Sequence, residues 1–194
     1  MKVSRKKAED NHHRVIDTAA RLFRKHGFDG IGIVDLMESA GLTHGGFYGR
    51  FSSKEELVSK ASARAAEQAR LGWGGPSGEH PDMAFRTLVG RYVSKEHCCN
   101  PESGCILPAL AADAARRDNA ALQIVFAETI SSYRQRLVEL RTAMPRHMRR
   151  RDPAAILCEM VGAVLLARAA GSSHVAEDLL GAVAADLTRG PGRR

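Results

Sequence analysis

The sequence predicts an all-α fold of about nine helices, and three observations support this. Apolar residues recur at the spacing of one helical face along most of the 194 residues. Glycine, proline and capping residues end one such stretch and begin the next. Hydrophobic residues make up 44% of the chain and charged residues 26%, which is ordinary for a soluble globular protein. A chain of this length can bury one core or form a small head domain on a larger helical body.

The first predicted helix spans about residues 11–26 and ends at Gly27, where a glycine is free to adopt positive φ. Its inner face carries apolar residues at helical spacing. Residues 1–8 before it contain four basic residues and no acid. This segment is either a solvated, frayed terminus or an arm that contacts phosphates. His12 and His13, near the helix start, are either bystanders or further phosphate contacts.

Residues 33–57 predict a helix-turn-helix. A short amphipathic helix comes first, and Gly41 stands where its end requires a residue that can adopt positive φ. Thr43 can then cap a second helix, whose buried face carries Phe47 and Phe51. In such a motif the first helix braces the second, which presents a polar face to the major groove of DNA.

The exposed face of the second helix combines small residues, hydrogen-bond donors and a cation: His44, Gly45, Tyr48 and Gly49, flanked by Arg50. Glycine inside a helix costs roughly 1 kcal/mol relative to alanine. Either the glycines here let the backbone approach DNA closely, or packing of the buried face stabilises the helix despite them. Only His44 and Arg50 are longer polar side chains that can read base edges. Part of the specificity should therefore come from DNA shape.

Two stretches resemble the tetracycline-repressor (TetR) family of bacterial transcriptional regulators. Residues 41–57, which read GLTHGGFYGRFSSKEEL, are similar to the DNA-binding signature of that family. Residues 15–28, which read VIDTAARLFRKHGF, are similar to its first helix. The likeness covers about the first sixty residues, and beyond them length and helix pattern carry it.

The resemblance implies a three-helix DNA-binding domain in residues 1–56 and a helical ligand-binding and dimerisation domain in residues 57–194. It implies that small residues and His44 face base edges, and that hydroxyls and a lysine hold phosphates. The predicted DNA-binding residues are Thr43, His44, Gly45, Gly46, Tyr48, Arg50 and Lys54. The implied protein is a homodimer through its last two helices. It binds a palindromic operator in double-stranded DNA, and a small-molecule or electrophile signal releases it.

The body begins with a Ser-x-x-Glu capping box, Ser53 to Glu56, which predicts a helix to about residue 71. Further helices are predicted over residues 83–93, 105–117, 119–143, 153–170 and 174–188. Glycine and proline predict a loop over residues 72–81, where Trp73 either covers a pocket mouth or caps the core. Five larger side chains are candidate lining of an effector pocket and equally ordinary core residues: Phe85, Tyr92, Phe126, Tyr133 and Met160.

Residues 95–105 are predicted to form a loop that carries three of the four cysteines and His97. Three interpretations stay open for Cys98, Cys99 and Cys105: they sense oxidants or electrophiles, they bind a metal ion with His97, or they pack as small residues. Adjacent cysteines are awkward ligands for one metal ion, so we predict no metal site and no cofactor. Sensing favours Cys105, because a helix start lowers the pKa of a thiol.

The net charge of +7 favours an anionic partner without choosing among nucleic acid, a membrane surface and an acidic ligand. No apolar run is expected to reach the length of a membrane-spanning helix, since residues 156–170 contain Glu159 and Arg168. The amino terminus lacks the apolar core of a signal peptide, so we expect a cytoplasmic protein. No set of residues indicates an enzyme. The rival interpretations are a thiol enzyme using the cysteine segment and an interaction protein whose DNA-binding head has decayed.

Overall fold

A computed structural model of the protein describes residues 5–73 and 81–188. These described residues form ten α-helices and no strand, which confirms the all-α prediction. The helices are α1 Arg5–His26, α2 Ile33–Ser39, α3 Gly45–Tyr48, α4 Lys54–Gly72, α5 Pro81–Tyr92, α6 Lys95–Cys99, α7 Ile106–Ala115, α8 Ala120–Glu139, α9 Pro153–Ala170 and α10 His174–Thr188. Short 3-10 turns lie at Pro101–Ser103, Leu140–Ala143 and Met148–Arg150.

Nine of these helices were predicted, and α6 is the tenth. The prediction of a loop over residues 95–105 was therefore wrong in its first half. Ser94 caps α6, since its Oγ accepts a hydrogen bond from the His97 amide at 3.1 Å. At the amino terminus α1 begins at Arg5, so part of the predicted arm is helical.

Three predictions fall outside the described residues in whole or in part. The first four residues of the predicted arm lie outside them. So do residues 74–80, which form most of the loop predicted after α4, and the tail from residue 189 onward. These segments stay predictions.

The chain forms two compact units. The first comprises the residues up to Ala69 and the segment Cys105–Phe126, and so contains α1 to α3, most of α4, α7 and the start of α8. Its core consists of aromatic and aliphatic side chains from all of these helices. The largest fully buried members are Phe23, Phe28, Phe47, Phe51, Leu36, Met37, Leu57, Ile106, Leu110 and Leu122.

One carboxylate anchors the end of α1 to α7. Gly27 ends α1 with a φ of +77°. Asp113 of α7 accepts a hydrogen bond from the Phe28 amide at 3.0 Å. A Cβ atom at position 27 would lie 2.8 Å from Oδ2 of the same carboxylate. Glycine is therefore required here both by its backbone conformation and by the space that Asp113 occupies.

A second anchor is Arg117, which follows α7. Its guanidinium pairs with the carboxylates of Asp29 and Glu55, and it lies 5.2 Å from the centre of the Phe28 ring. Asn119 then caps α8, since its Oδ1 accepts a hydrogen bond from the Leu122 amide at 2.9 Å. These contacts connect the loop after α1, the first turn of α4 and the start of α8.

The second unit comprises Arg70–Gly104 and the residues from Ala127 onward. In it α9 and α10 pack along each other, and α5 and α6 pack against them. Trp73 stacks on Tyr133 with ring centres 4.0 Å apart and meets Tyr92 edge-on at 5.5 Å. Trp73 is only 5% exposed, so it is a core residue of this unit.

Helix α9 is long and apolar enough to span a membrane by length and composition alone. As expected from the sequence, Glu159 and Arg168 interrupt its apolar residues. A core helix of a soluble protein meets the same criterion. Ile156, Met160 and Val164 are fully buried against the rest of the second unit, as expected of a core helix.

Candidate nucleic-acid interface

The turn that follows α2 has the geometry predicted for a helix-turn-helix. Gly41 adopts a φ of +67°, as a left-handed residue at the end of a helix requires. Its amide donates to the carbonyl of Glu38 at 2.8 Å, and the amide of Leu42 donates to that of Met37 at 2.9 Å. These two bonds close the end of α2 and fix the direction in which the chain enters α3.

Helix α3 is short, and no side chain of the described residues caps it. His44, the residue before it, is already in the helical conformation. The amide of Gly46 donates to the backbone carbonyl of Thr43, and that of Phe47 to the carbonyl of His44, both at 3.0 Å. The predicted cap by the Thr43 hydroxyl is therefore wrong, because tight backbone bonds take up these amides. The Thr43 side chain is exposed.

The two faces of α3 differ as predicted. Phe47 is 0% exposed and its ring lies 5.5 Å from that of Phe51, which is also buried. Tyr48, the next residue after Phe47, is 67% exposed. Its ring meets that of the exposed His44 edge-on at 5.6 Å. An imidazole and a phenol thus stand together on the solvent side of α3.

The fold does not require most of the glycines around α3. A Cβ atom at Gly45 or Gly49 would meet no atom of the described chain within 4 Å, apart from the backbone of the helix itself. At Gly46 it would lie 2.9 Å from the guanidinium of Arg50, the end of a flexible side chain. The empty space at positions 45 and 49 favours the interpretation that a partner approaches the backbone closely there.

Arg50, a predicted base reader, is half-buried, and its Nη1 donates a hydrogen bond to the carbonyl of Gly46. Its Nε is buried and finds no hydrogen-bond partner among the described residues. The guanidinium therefore folds back onto the end of its own helix, where cations bind carbonyls favourably. His44 and Tyr48 are then the longer polar side chains that α3 exposes.

Lys54, a predicted phosphate contact, already has partners in the protein. Its Nζ donates to the carbonyl of Ile31 at 3.1 Å and lies 4.0 Å from the carboxylate of Asp29. The side chain is 28% exposed, so the ammonium group remains accessible from solvent. Lys54 thus connects the start of α4 to the loop before α2.

The predicted capping box is half-formed. The Oγ of Ser53 accepts a hydrogen bond from the Glu56 amide at 3.1 Å. The Glu56 carboxylate, however, accepts from the amide and the hydroxyl of Ser52, both at 2.7 Å, and lies 2.9 Å from Nζ of Lys60. The hydrogen bond from Lys60, followed by those from Ser52, lowers the pKa of Glu56 to about 2.

We expect Glu56→Gln to lower the thermal-unfolding midpoint at pH 7, and this difference from the wild type should shrink as the pH falls from 5 to 2. Folding lowers the pKa of Glu56 from 4.5 to about 2. The ionised carboxylate thus stabilises the fold above pH 4.5, and its contribution is lost as the pH falls through the folded value. Ellipticity at 222 nm measures the midpoints. Glu67→Gln, which removes one of the two carboxylates paired with Arg64 on the same helix, is the control. A difference for Glu56→Gln that stays constant with pH would contradict the assignment.

The five candidate pocket residues are all buried. Phe85, Tyr92, Tyr133 and Met160 belong to the second unit, and Phe126 belongs to the first. Core residues are buried in the same way, so their assignment to a ligand site stays a prediction.

The described residues include all four cysteines, and none of them forms a disulfide. Cys105 is 3% exposed, and its Sγ accepts a hydrogen bond from the Leu107 amide at the start of α7. Burial raises the pKa of Cys98, which opposes thiolate formation, whereas Cys99 is exposed. A sensor thiol typically has a lowered pKa and is exposed to solvent. Cys98 lacks the first property and Cys105 lacks the second. No three potential metal ligands come together in the described part of the chain.

Sequence reasoning missed one contact of the helix-turn-helix. The imidazole of His12 stacks on the ring of Phe51, with centres 4.8 Å apart and planes inclined by 19°. His12 lies three residues before the fully buried Val15. Extending the helical periodicity of α1 toward its amino end would have placed His12 on the inner face.

The amino-terminal part of the chain matches a known sequence family. Residues 15–61 match the family described as Bacterial regulatory proteins, tetR family. Along nearly its whole length the chain is similar to a solved TetR transcriptional regulator from Chloroflexus aurantiacus. The two are 25% identical with a TM-score of 0.75, over 95% of this chain and 98% of that one. Among curated proteins none matches the chain.

Two further solved structures share the fold. The reduced form of NemR from E. coli is 21% identical with a TM-score of 0.66, over 95% of this chain and 100% of that one. AibR, solved in complex with isovaleryl coenzyme A and operator DNA, is 17% identical with a TM-score of 0.62, over 91% of this chain and 97% of that one. The helix-turn-helix, the family match and the shared fold agree. Residues 15–61 are therefore a TetR-family segment, and the chain has the fold of a solved TetR transcriptional regulator.

Proposed function

We propose that the protein is a repressor, a homodimer that binds a palindromic operator and is released by a small-molecule or electrophile signal. In this proposal residues 1–56 bind DNA, and residues 57–194 receive the signal and form the dimer. The observation that carries it is the exposed face of α3, where His44 and Tyr48 stand beside glycines whose Cβ positions are empty. A surface of this kind suits an approach of the backbone into the major groove.

The proposed contacts divide into two chemical kinds. Thr43, Tyr48 and Lys54 hold phosphates, because hydroxyls and an ammonium group suit phosphate oxygens and set the register on the duplex. His44 and the backbone at Gly45 and Gly46 face base edges. Arg50 reads a base only if it leaves the carbonyl that it binds in the free protein. Direct readout therefore depends mainly on His44, and DNA shape supplies the rest.

The proposed dimer interface is formed by α9 and α10. Large apolar side chains are exposed on both, with Leu165 at 44%, Leu166 at 55% and Val175 at 48%. Exposed apolar side chains of this size on two packed helices are typical of a surface that an oligomer buries. A two-fold dimer also presents two identical heads, as a palindromic operator requires.

Release is proposed to be a population shift in the cytoplasm, where the operator lies. The effector binds better to the state of the dimer whose two heads no longer match the operator. The candidate lining residues are Phe85, Tyr92, Tyr133 and Met160 in the second unit, and Phe126 is a separate candidate in the first. Modification of a thiol among Cys98, Cys99 and Cys105 is the alternative signal, and Cys99 is the exposed one of the three.

Selection of bound sequences from a random duplex library, at near-physiological salt, tests this proposal. Recovery of one palindrome with half-sites about one helical turn apart supports a sequence-specific dimer. Recovery of nothing beyond salt-sensitive, sequence-blind binding would overturn it.

Within that assay His44→Ala should reduce the ratio of operator affinity to random-DNA affinity by roughly 5- to 150-fold, since one base contact carries about 1–3 kcal/mol of discrimination. Tyr48→Phe and Lys54→Ala should instead weaken binding to both duplexes alike, because phosphate contacts are sequence-independent. Fluorescence anisotropy with labelled duplexes gives both affinities. Equal losses on the two duplexes for His44→Ala would argue against its role as a base reader.

A further inference from the structure

His12 of α1 lies against the end of the helix-turn-helix. One face of its imidazole stacks on Phe51, at the 4.8 Å given above, and the side chain is half-buried. Lys60 of α4 lies near the ring of Phe51, with its Nζ 6.0 Å from the centre of that ring. Phe51 lies in the connection between α3 and α4. His12 and Lys60 therefore lie beside the chain where it leaves α3 for α4.

The charged groups that face His12 come from each element packed against it. Burial is the largest cause that lowers the pKa of His12, and Lys60, His13 and Arg50 lower it further. Glu56 of α4 raises it. The carboxylate of Glu56 is already held by Ser52 and Lys60. In the free protein burial, followed by the neighbouring cations, therefore opposes protonation of His12.

A DNA phosphate reverses this balance. The cations around His12 are the groups that a phosphate neutralises, and the anionic backbone itself favours the charged form of an imidazole. Stacking occupies a face of the ring and leaves its edges, where the nitrogens lie. An imidazolium has two N–H donors, and a hydrogen bond from a charged donor to a phosphate is among the strong ones.

We propose that His12 is a proton-linked phosphate contact: DNA binding draws a proton from solvent onto its imidazole, and the imidazolium holds a backbone phosphate beside the helix-turn-helix. The proposal rests on the DNA-binding function proposed above. Its sign follows from linkage. Because bound DNA favours the protonated form, the complex takes up a proton, and DNA affinity rises as the pH falls through the range in which histidine titrates.

Anisotropy titrations of the full chain between pH 8 and pH 6, on a duplex carrying the selected palindrome, test this. His12→Phe keeps a ring stacked on Phe51 but cannot take up a proton. The wild type should gain roughly two- to fivefold more affinity over this range than His12→Phe, because only the wild type can take up the linked proton. His44 is unchanged in both proteins, so its contribution to binding cancels in the comparison.

The salt dependence gives a second readout that a structural role of His12 would not change. One additional protonated phosphate contact steepens the slope of log affinity against log salt by about 0.9. The wild type should show this steepening at pH 6 relative to pH 8, and His12→Phe should not. His26→Gln, an exposed histidine about 21 Å along the same helix, should retain the wild-type behaviour.

Identical pH and salt behaviour of the wild type and His12→Phe would overturn the role of His12 and leave DNA binding intact. Failure of the wild type to bind the duplex at any pH would instead overturn the proposed function, and this inference with it. If circular dichroism shows that His12→Phe is misfolded, His12→Gln is used in its place with the same expected results.

Discussion

Replacing Phe47 by alanine should unfold the helix-turn-helix and abolish DNA binding. The side chain is 0% exposed, and its ring lies 5.3 Å from Tyr48 and 5.5 Å from Phe51. Truncation of a buried phenylalanine costs about 3–5 kcal/mol, because transfer energy is lost and a cavity remains. This is a large part of the roughly 5–15 kcal/mol that stabilises a typical protein. The thermal-unfolding midpoint, followed by circular dichroism, should fall by roughly 6–20 °C.

The adjacent residue provides the matched control. Tyr48→Ala removes an aromatic ring of similar size from a position that is 67% exposed. Its effect on stability should stay within about 0.5 kcal/mol, as for most surface substitutions. Its effect on DNA binding should nevertheless be large if the hydroxyl holds a phosphate. A loss of stability as large as that of Phe47→Ala would mean that the two faces of α3 have been assigned wrongly.

Replacing Gly27 by alanine should destabilise the protein more than the same change at Gly41. Both have positive φ, +77° and +67°, and an L residue in this conformation costs about 1–2 kcal/mol. At Gly41 the new Cβ would meet no described atom within 4 Å, whereas at Gly27 it would lie 2.8 Å from Oδ2 of Asp113. Displacing that carboxylate leaves the Phe28 amide without its acceptor, at a further cost of about 1–3 kcal/mol.

Urea denaturation of the two glycine variants measures this difference. A double-mutant cycle with Asp113→Ala then identifies its cause. Once the carboxylate is absent, Gly27→Ala should cost no more than Gly41→Ala, because only the backbone conformation remains. Equal costs in the wild-type background would show instead that Asp113 moves aside without loss.

Helix positions were predictable because they depend on local signals. The apolar face and the positive-φ glycine at position 41 were enough to place α2 and the turn after it. Helix α6 was missed because five residues with adjacent cysteines show no periodic apolar face. The sequence signal for α6 was Ser94, a residue that often caps helices. Its hydroxyl accepts a hydrogen bond from the amide of His97, three residues later.

Side-chain directions were less predictable, since the same sequence position permits several partners. Periodicity places Arg50 beside the exposed face, but a long flexible side chain takes the nearest strong acceptor, here the carbonyl of Gly46. Thr43 is of the right type for a cap, yet a cap needs a non-helical residue at the helix boundary, and His44 is already helical. The effector site could not be predicted because residues such as Tyr133 suit a pocket and a core equally well.

The aromatic stack of the second unit makes the two units distinguishable by intrinsic fluorescence. Trp73 is the only tryptophan of the chain, so its emission reports on the second unit alone. Its contact with Tyr133 also makes the emission sensitive to any molecule that separates the two rings. An unlabelled effector could therefore be found by screening for a change in emission, before its chemistry or the operator is known.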